Sequence, residues 1–271
     1  MQSNNRPADR PVSRPWALVT GASSGIGAAL TRELARHGYD LVLSARRKAP
    51  LEELAAELRR LGAAATIISA DLSQPGAAAA LVRDTGAAGI EVDMLVANAG
   101  LGAFGRFDQI EPLRNAEIMQ VNIVALTELT RLLLPPMLAR RRGTVVLVAS
   151  TASFLPCPNM AVYAATKAYV RSFGEALAQE VKGSGVAVNV LCPGATATEF
   201  FDVAGGRLSP IQMRRLMNAS TVARLGYRGI ARGERVTIAG LANRILAFAT
   251  VHLPHFVTVP ATQRLLAQDR P

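Results

Sequence analysis

Trp16-Ala17-Leu18-Val19-Thr20-Gly21-Ala22-Ser23-Ser24-Gly25-Ile26-Gly27 is the stretch that decides the fold. Its first five residues are a compact, mostly apolar run that reads as a short strand. Three glycines follow, at 21, 25 and 27. Glycine lets a backbone turn sharply and lets a second group come close to it. From Ser24 the apolar spacing predicts a helix to about His37, where Gly38 stops it. A helix that starts on such a turn aims its free N–H groups outward and is ready to hold an anion. Strand, glycine turn and helix in this order open a unit suited to the pyrophosphate of a dinucleotide.

The alternation continues along the chain. Apolar runs at 40–45, 65–70, Val92–Ala97, 144–149, 186–191 and 233–238 read as further strands. Helices are expected at 50–61, 113–140 and 162–181. Strands that are apolar throughout, with helices between them, imply a parallel sheet covered on both faces. Right-handed crossovers then give an α/β fold, a doubly wound Rossmann-type sheet of about seven strands. Residues 15–271 read as one such domain after a loose polar tail, 1–14, that has no apolar core of a signal peptide. Residues 195–232 follow the sixth strand and are rich in Gly, Arg and Met. They are expected to form a substrate lid over the ligand crevice.

Composition narrows the function. The chain has 271 residues, half of them apolar, and a net charge of +10 carried almost wholly by arginine. The arginines are scattered and no basic stripe is interleaved with aromatics, so nucleic acid is not the expected partner. No run of some 20 uninterrupted apolar residues is present. Cys157 and Cys192 form no disulfide framework, and a cytoplasmic location is the simplest reading. His37, His252 and His255 are isolated, so no metal site is expected. The second strand ends in Ser44-Ala45-Arg46-Arg47. An acidic residue there would bind ribose hydroxyls. Arg46 could instead pair with a 2′-phosphate, which favours NADP(H) over NAD(H), whereas Arg47 could simply face solvent.

Further motifs carry a family resemblance. Asn98-Ala99-Gly100 follows the fourth strand, Asp71-Leu72 the third, and Tyr163-Ala-Ala-Thr-Lys167 lies on a predicted helix. Ser150 stands 13 residues before Tyr163, and Asn122 stands 28 before Ser150. Pro193-Gly194, with Thr196 and Thr198, follows the sixth strand. With the turn at Thr20–Gly27, this set resembles the classical short-chain dehydrogenases/reductases over about residues 14–200. The resemblance implies a catalytic set of Asn122, Ser150, Tyr163 and Lys167. It implies cofactor contacts from Gly21, Ser23, Ser24, Gly25, Ile26, Gly27, Arg46, Asp71, Leu72, Asn98, Ala99, Gly100, Tyr163, Lys167, Pro193, Gly194, Thr196 and Thr198. Asp71 has another reading, as a helix N-cap.

The chemistry is consistent with these residue types. Tyrosine ordinarily has a pKa of about 10, too high for ready proton exchange near neutrality. Lys167, four residues on, shares its helix face, and a cation there should lower that pKa. Ser150, at a strand end, could bond the substrate oxygen. The resemblance gives Asn122 a water that links Lys167 to solvent, and gives Lys167 the nicotinamide ribose. Phe154, Met160 and Phe200 are candidate substrate contacts and suggest an apolar carbonyl compound.

The expected activity is therefore NADP(H)-dependent interconversion of a ketone or aldehyde and its alcohol. Alternatives are a 3-oxoacyl thioester reductase and an NADP-sensing regulatory protein without turnover. The apolar extension, 239–271, with Pro254 and Pro260 breaking it, departs from the bacterial ketoacyl-carrier-protein reductases. It could close the pocket, form a subunit contact or lie on a membrane, in that order. The resemblance also implies a homodimer or homotetramer.

Overall fold

A computed structural model describes residues 14–206, 213–214 and 216–265. Of the expected N-terminal tail, 1–13 lie outside the described residues. Seven strands form one parallel sheet: β1 (Trp16–Thr20), β2 (Asp40–Ser44), β3 (Ala65–Ile67), β4 (Val92–Ala97), β5 (Gly143–Val148), β6 (Val186–Cys192) and β9 (Val236–Ile238), in the order β3-β2-β1-β4-β5-β6-β9. Ala17, Leu18, Val19, Leu41, Val42 and Leu43 are fully buried, as both-face coverage requires. Alternate residues feed two cores, one on each face: Leu18, Val42 and Leu95 on one side, Val19, Leu43 and Val96 on the other. The expected doubly wound sheet is present.

Helices α1 (Gly25–Arg36), α2 (Lys48–Arg60), α3 (Ala77–Ala87), α4 (Pro112–Met119), α5 (Leu126–Ala139) and α6 (Ala161–Glu180) make the crossovers. β1 pairs with β2 on one side and β4 on the other. The chain therefore reverses direction across the sheet at β1/β4 and leaves a crevice at the carboxyl ends of those strands. The glycine turn stands at its mouth.

Several expectations need correction. α3 begins later than the helix that the N-cap reading of Asp71 places there: its Ala77-Ala-Ala-Ala80 start carries little amphipathic signal, and only Ala78, Leu81 and Thr85 are buried. The long helix expected at 113–140 is interrupted by a π-helical turn, Gln120–Ala125, between α4 and α5. The whole stretch Pro112–Ala139 is long and apolar enough to span a membrane. Here it instead packs Ile118, Val121, Leu126, Leu129, Leu133 and Met137 into the core.

Of the expected lid, 195–232, residues 207–212 and 215 lie outside the described residues. Its second part is helix α8 (Ala219–Ala231), which buries Val222 and Ala223. Gly226 and Gly229 let α8 lie close to the sheet: a Cβ at Gly229 would stand 2.0 Å from Thr237 Oγ1. A small two-stranded sheet pairs β7 (Thr196–Ala197) with β8 (Met217–Asn218), and the short helix α7 (Phe200–Val203) follows β7.

Arg14 is not part of a loose tail. It donates to the carbonyls of Ala35, Gly38, Tyr39 and Gly62, and pairs with Asp40 at 3.4 Å. These carbonyls lie at and just beyond the C-terminal ends of α1 and α2, where backbone oxygens lack helical partners. Of the expected extension, 239–271, residues 266–271 lie outside the described residues, and the rest forms helices α9 (Leu241–His252) and α10 (His255–Leu265). Pro254 separates them, but Pro260 lies inside α10 and does not break it.

Candidate active site

The glycine turn is held by β4. Gly21 and Gly25 adopt φ of +65° and +54°, which favour glycine. A Cβ at Gly27 would stand 2.2 Å from the Gly21 carbonyl oxygen. The Thr20 hydroxyl accepts the N–H groups of Asn98 and Ala99 at 3.1 and 3.0 Å, and Asn98 Nδ2 donates to the Thr20 carbonyl at 2.9 Å. The side chain of Asn98, expected at the cofactor, thus ties two loops together. Ser24 is the N-cap of α1, yet its side chain makes no capping bond, and no acidic residue lies in the first turn. Those N–H groups are free to meet an anion, so turn and helix fit a dinucleotide pyrophosphate.

Arg46 is exposed at the end of β2. Arg47 does not simply face solvent: its guanidinium meets the Glu199 carboxylate at 2.5 Å. Asp71 Oδ1 accepts the Ser73 N–H at 3.1 Å and the Ser73 hydroxyl at 2.8 Å. It therefore closes a local turn, and the next helix begins later with Gly76 as N-cap, so the N-cap reading of Asp71 does not hold. Leu72 is buried.

Three elements bring the catalytic candidates together. Ser150 leaves β5 in extended conformation and caps a short 3-10 turn, Thr151–Phe154, accepting the Ala152 N–H at 3.1 Å. Tyr163 and Lys167 sit one turn apart on α6, with Lys167 Nζ 5.8 Å from the tyrosine ring centre. Asn122 comes from the π turn. Its Oδ1 accepts the Leu101 N–H at 2.8 Å, and its Nδ2 donates to the Leu101 carbonyl and the Thr166 hydroxyl, both at 2.9 Å. A Cβ at Gly100 would stand 3.3 Å from Lys167 Nζ, so glycine keeps that approach open.

The electrostatics correct one expectation. Tyr163 is only partly shielded by side-chain exposure. Its packed surroundings nevertheless push its pKa up to about 12, against a smaller downward pull from Ser150. Burial of Lys167 holds its ammonium down to about 8, and its Nζ donates to the Val148 carbonyl at 2.8 Å. Burial outweighs the Ser150 hydrogen bond, so the tyrosine pKa is raised rather than lowered.

The pocket wall is apolar. Met160, Cys157 and Ala164 form a small cluster with Phe104, Leu155, Tyr163 and Phe200. The Phe200 ring lies 5.1 Å from that of Tyr163, centre to centre. Its tip fills a notch at Gly102, where a Cβ would meet Phe200 Cζ at 2.5 Å. Phe154 does not join them: its ring packs on the main core beneath the Arg171 guanidinium, 4.4 Å away. Pro193 accepts the Thr151 N–H at 2.8 Å, Thr196 bonds the Gly194 carbonyl, and the Thr198 methyl rests on Gly25. Asn243 of α9 packs on Gly194. Among the described residues no three His, Cys, Asp or Glu side chains gather as a metal site would require.

Residues 15–205 match the family model described as short chain dehydrogenase. The chain belongs to this family. A short-chain dehydrogenase from Sphingobium yanoikuyae, solved in complex with NADPH, superposes with a TM-score of 0.79 at 34% identity, covering 94% of this chain and 96% of that one. Oxidoreductase UcpA of Escherichia coli K12 is 33% identical over 90% of this chain and 96% of its own length. A very-long-chain 3-oxoacyl-CoA reductase-like protein of Arabidopsis thaliana is 38% identical over 66% of this chain, which spans 58% of that relative's length.

As a short-chain dehydrogenase the protein is an oxidoreductase on a dinucleotide-binding fold. Sequence reasoning missed three features of its site: Gly102 as the seat of Phe200, Cys157 in the pocket wall, and Glu199 on Arg47. The last two groups stand 152 positions apart, and no local signal joins them. Gly102 follows Asn98-Ala99-Gly100 so closely that a second glycine there could have prompted a search for a close neighbour.

Proposed function

We propose that this short-chain dehydrogenase interconverts an apolar ketone or aldehyde and its alcohol, with NADP(H) as coenzyme. The observation that carries the reading is Tyr163, facing Phe200 and Met160 on one side and Lys167 on the other. When bound, the nicotinamide coenzyme supplies or accepts the hydride. Gly21 to Gly27 and the start of α1 would hold its pyrophosphate, Arg46 its 2′-phosphate, and Thr198 its nicotinamide end. Ser150 fixes the substrate oxygen.

Tyr163 gives its Oη proton to the developing alkoxide. A phenol at about 12 is still the stronger acid, because an alkoxide is about as strong a base as hydroxide. The Lys167 ammonium then lies close enough to stabilise the phenolate, and it passes the proton onward from solvent. Asn122 serves that relay by holding Leu101 and α6 in place, with its side-chain atoms bonded to protein on both sides.

Replacing Tyr163 with Phe should lower turnover about 10²–10⁴-fold, the usual contribution of a general acid, while NADPH binding persists. Substantial residual activity would remove Tyr163 from the mechanism. A panel of carbonyl compounds scored by NADPH oxidation identifies the substrate class. A second reading, 3-oxoacyl thioester reduction, draws on the likeness to the very-long-chain 3-oxoacyl-CoA reductase-like protein. Turnover of acyl thioesters but not of free ketones selects it.

A further inference from the structure

We propose that Glu199 is a specificity-determining residue that competes with the 2′-phosphate of the coenzyme for Arg47. The proposal rests on the NADP(H) reading above. Arg47 follows Arg46 at the end of β2, on the rim where the adenosine ribose is expected. Its guanidinium is already engaged by a carboxylate that arrives from the far side of the crevice, after β7. The two contacts that bring Glu199 there are specific. The Thr198 methyl sits on Gly25, where a Cβ would lie 2.8 Å away, so the segment rests directly on the glycine turn. Arg47, first, and the Ser24 hydroxyl, to a smaller extent, hold the Glu199 carboxyl below the usual carboxylate range.

Carboxylate and phosphate ask the same of a guanidinium: oxygen acceptors in the plane of its N–H groups. Glu199 thus occupies the donor that a 2′-phosphate would use, and Ser24 is the residue from which the phosphate-binding helix starts. A coenzyme carrying the 2′-phosphate exchanges one anion for another at Arg47. One without it has nothing to exchange, and the pair stays closed. Glu199 therefore weakens NADPH binding relative to what Arg46 and Arg47 together would give, and leaves NADH binding nearly untouched. Both side chains of the pair are half-exposed, so the effect is modest.

The test measures dissociation constants for NADPH and NADH by calorimetry on the full chain, with no substrate present. Glu199→Gln keeps size and shape and removes the charge. NADPH should bind about two- to fivefold more tightly to Glu199→Gln, with NADH unchanged. In an Arg47→Gln background the same substitution should give no gain. Weaker NADPH binding in Glu199→Gln would make the pair a clasp over the bound coenzyme and overturn the proposal. An unchanged constant, or an equal gain for NADH, overturns it too. If the unsubstituted chain binds neither coenzyme, the cofactor reading itself fails, an outcome distinct from those. Matching thermal melts for the variants show that the fold is kept.

Discussion

Lys167 is a cation held in the interior, 4% exposed, with one protein acceptor, the Val148 carbonyl. Burying a charge with so little compensation is costly. Its pKa falls from the ordinary 10.5 to about 8, so between those values the unfolded chain binds more protons than the folded one. Stability must therefore rise with pH across that window, and below pH 8 the full penalty stands. Lys167→Met should be inactive, yet up to about 3 kcal/mol more stable at pH 7, with the gap closing toward pH 10.5. Urea melts at pH 7 and pH 10 check this; a destabilised variant at pH 7 would contradict it. Catalysis shows the opposite sign. The ammonium is lost as pH rises through about 8, so the rate of carbonyl reduction should fall there. Lys167 and Tyr163 were legible from their spacing, but the direction of the tyrosine shift was not. A four-residue interval gives the lysine's attraction and says nothing of the packing around the phenol.

At the scale of elements, the seat of α7 controls the pocket. Phe200 reaches Tyr163 only because residue 102 has no side chain. Gly102→Val should displace the ring and raise KM for a bulky apolar ketone about tenfold or more, with NADPH affinity unchanged. Shortening the intruder, as Phe200→Leu in the Gly102→Val background, should recover part of the loss; no recovery would break the link between the two positions. The strands were readable because a parallel strand buried on both faces is a continuous apolar run. The start of α3 and the whole of α8 were not. The first is alanine-rich, and the second lies among residues whose glycines suggested a loop but serve close packing on Leu191 and Thr237. Phe154 was placed in the pocket by its neighbours in sequence, and the 3-10 turn after β5 directs it into the core instead.

For the whole molecule, the feature that needs an account is the outer surface of α9 and α10. Leu241, Ile245, Phe248 and Phe256 are 71%, 62%, 67% and 80% exposed. Uncovered apolar area of this kind commonly marks an interaction surface. The tail does not fold these side chains over the pocket. We expect association between copies: light scattering should give a multiple of 28.6 kDa, and Phe248→Ser with Phe256→Ser should move the mass toward one chain. A single-chain mass for the unsubstituted protein would sink this expectation. Arg14 shows a different limit of sequence reading. It lies in a polar, proline-rich stretch, and only the assembled ends of α1 and α2 reveal four carbonyls waiting for a guanidinium.

The π turn at Gln120–Ala125 has one residue more than an α-helix would use over the same rise. The extra residue is accommodated between α4 and α5, whose buried faces both stay on the core. Removing it should be tolerated. Deleting one residue, such as the exposed Val124, should heal α4 and α5 into an unbroken helix and leave Ile118 and Leu129 in their places in the core. What such a deletion would erase is the detour that carries Asn122 to Leu101 and Thr166, so that a folded protein and a working site become separable by a single codon.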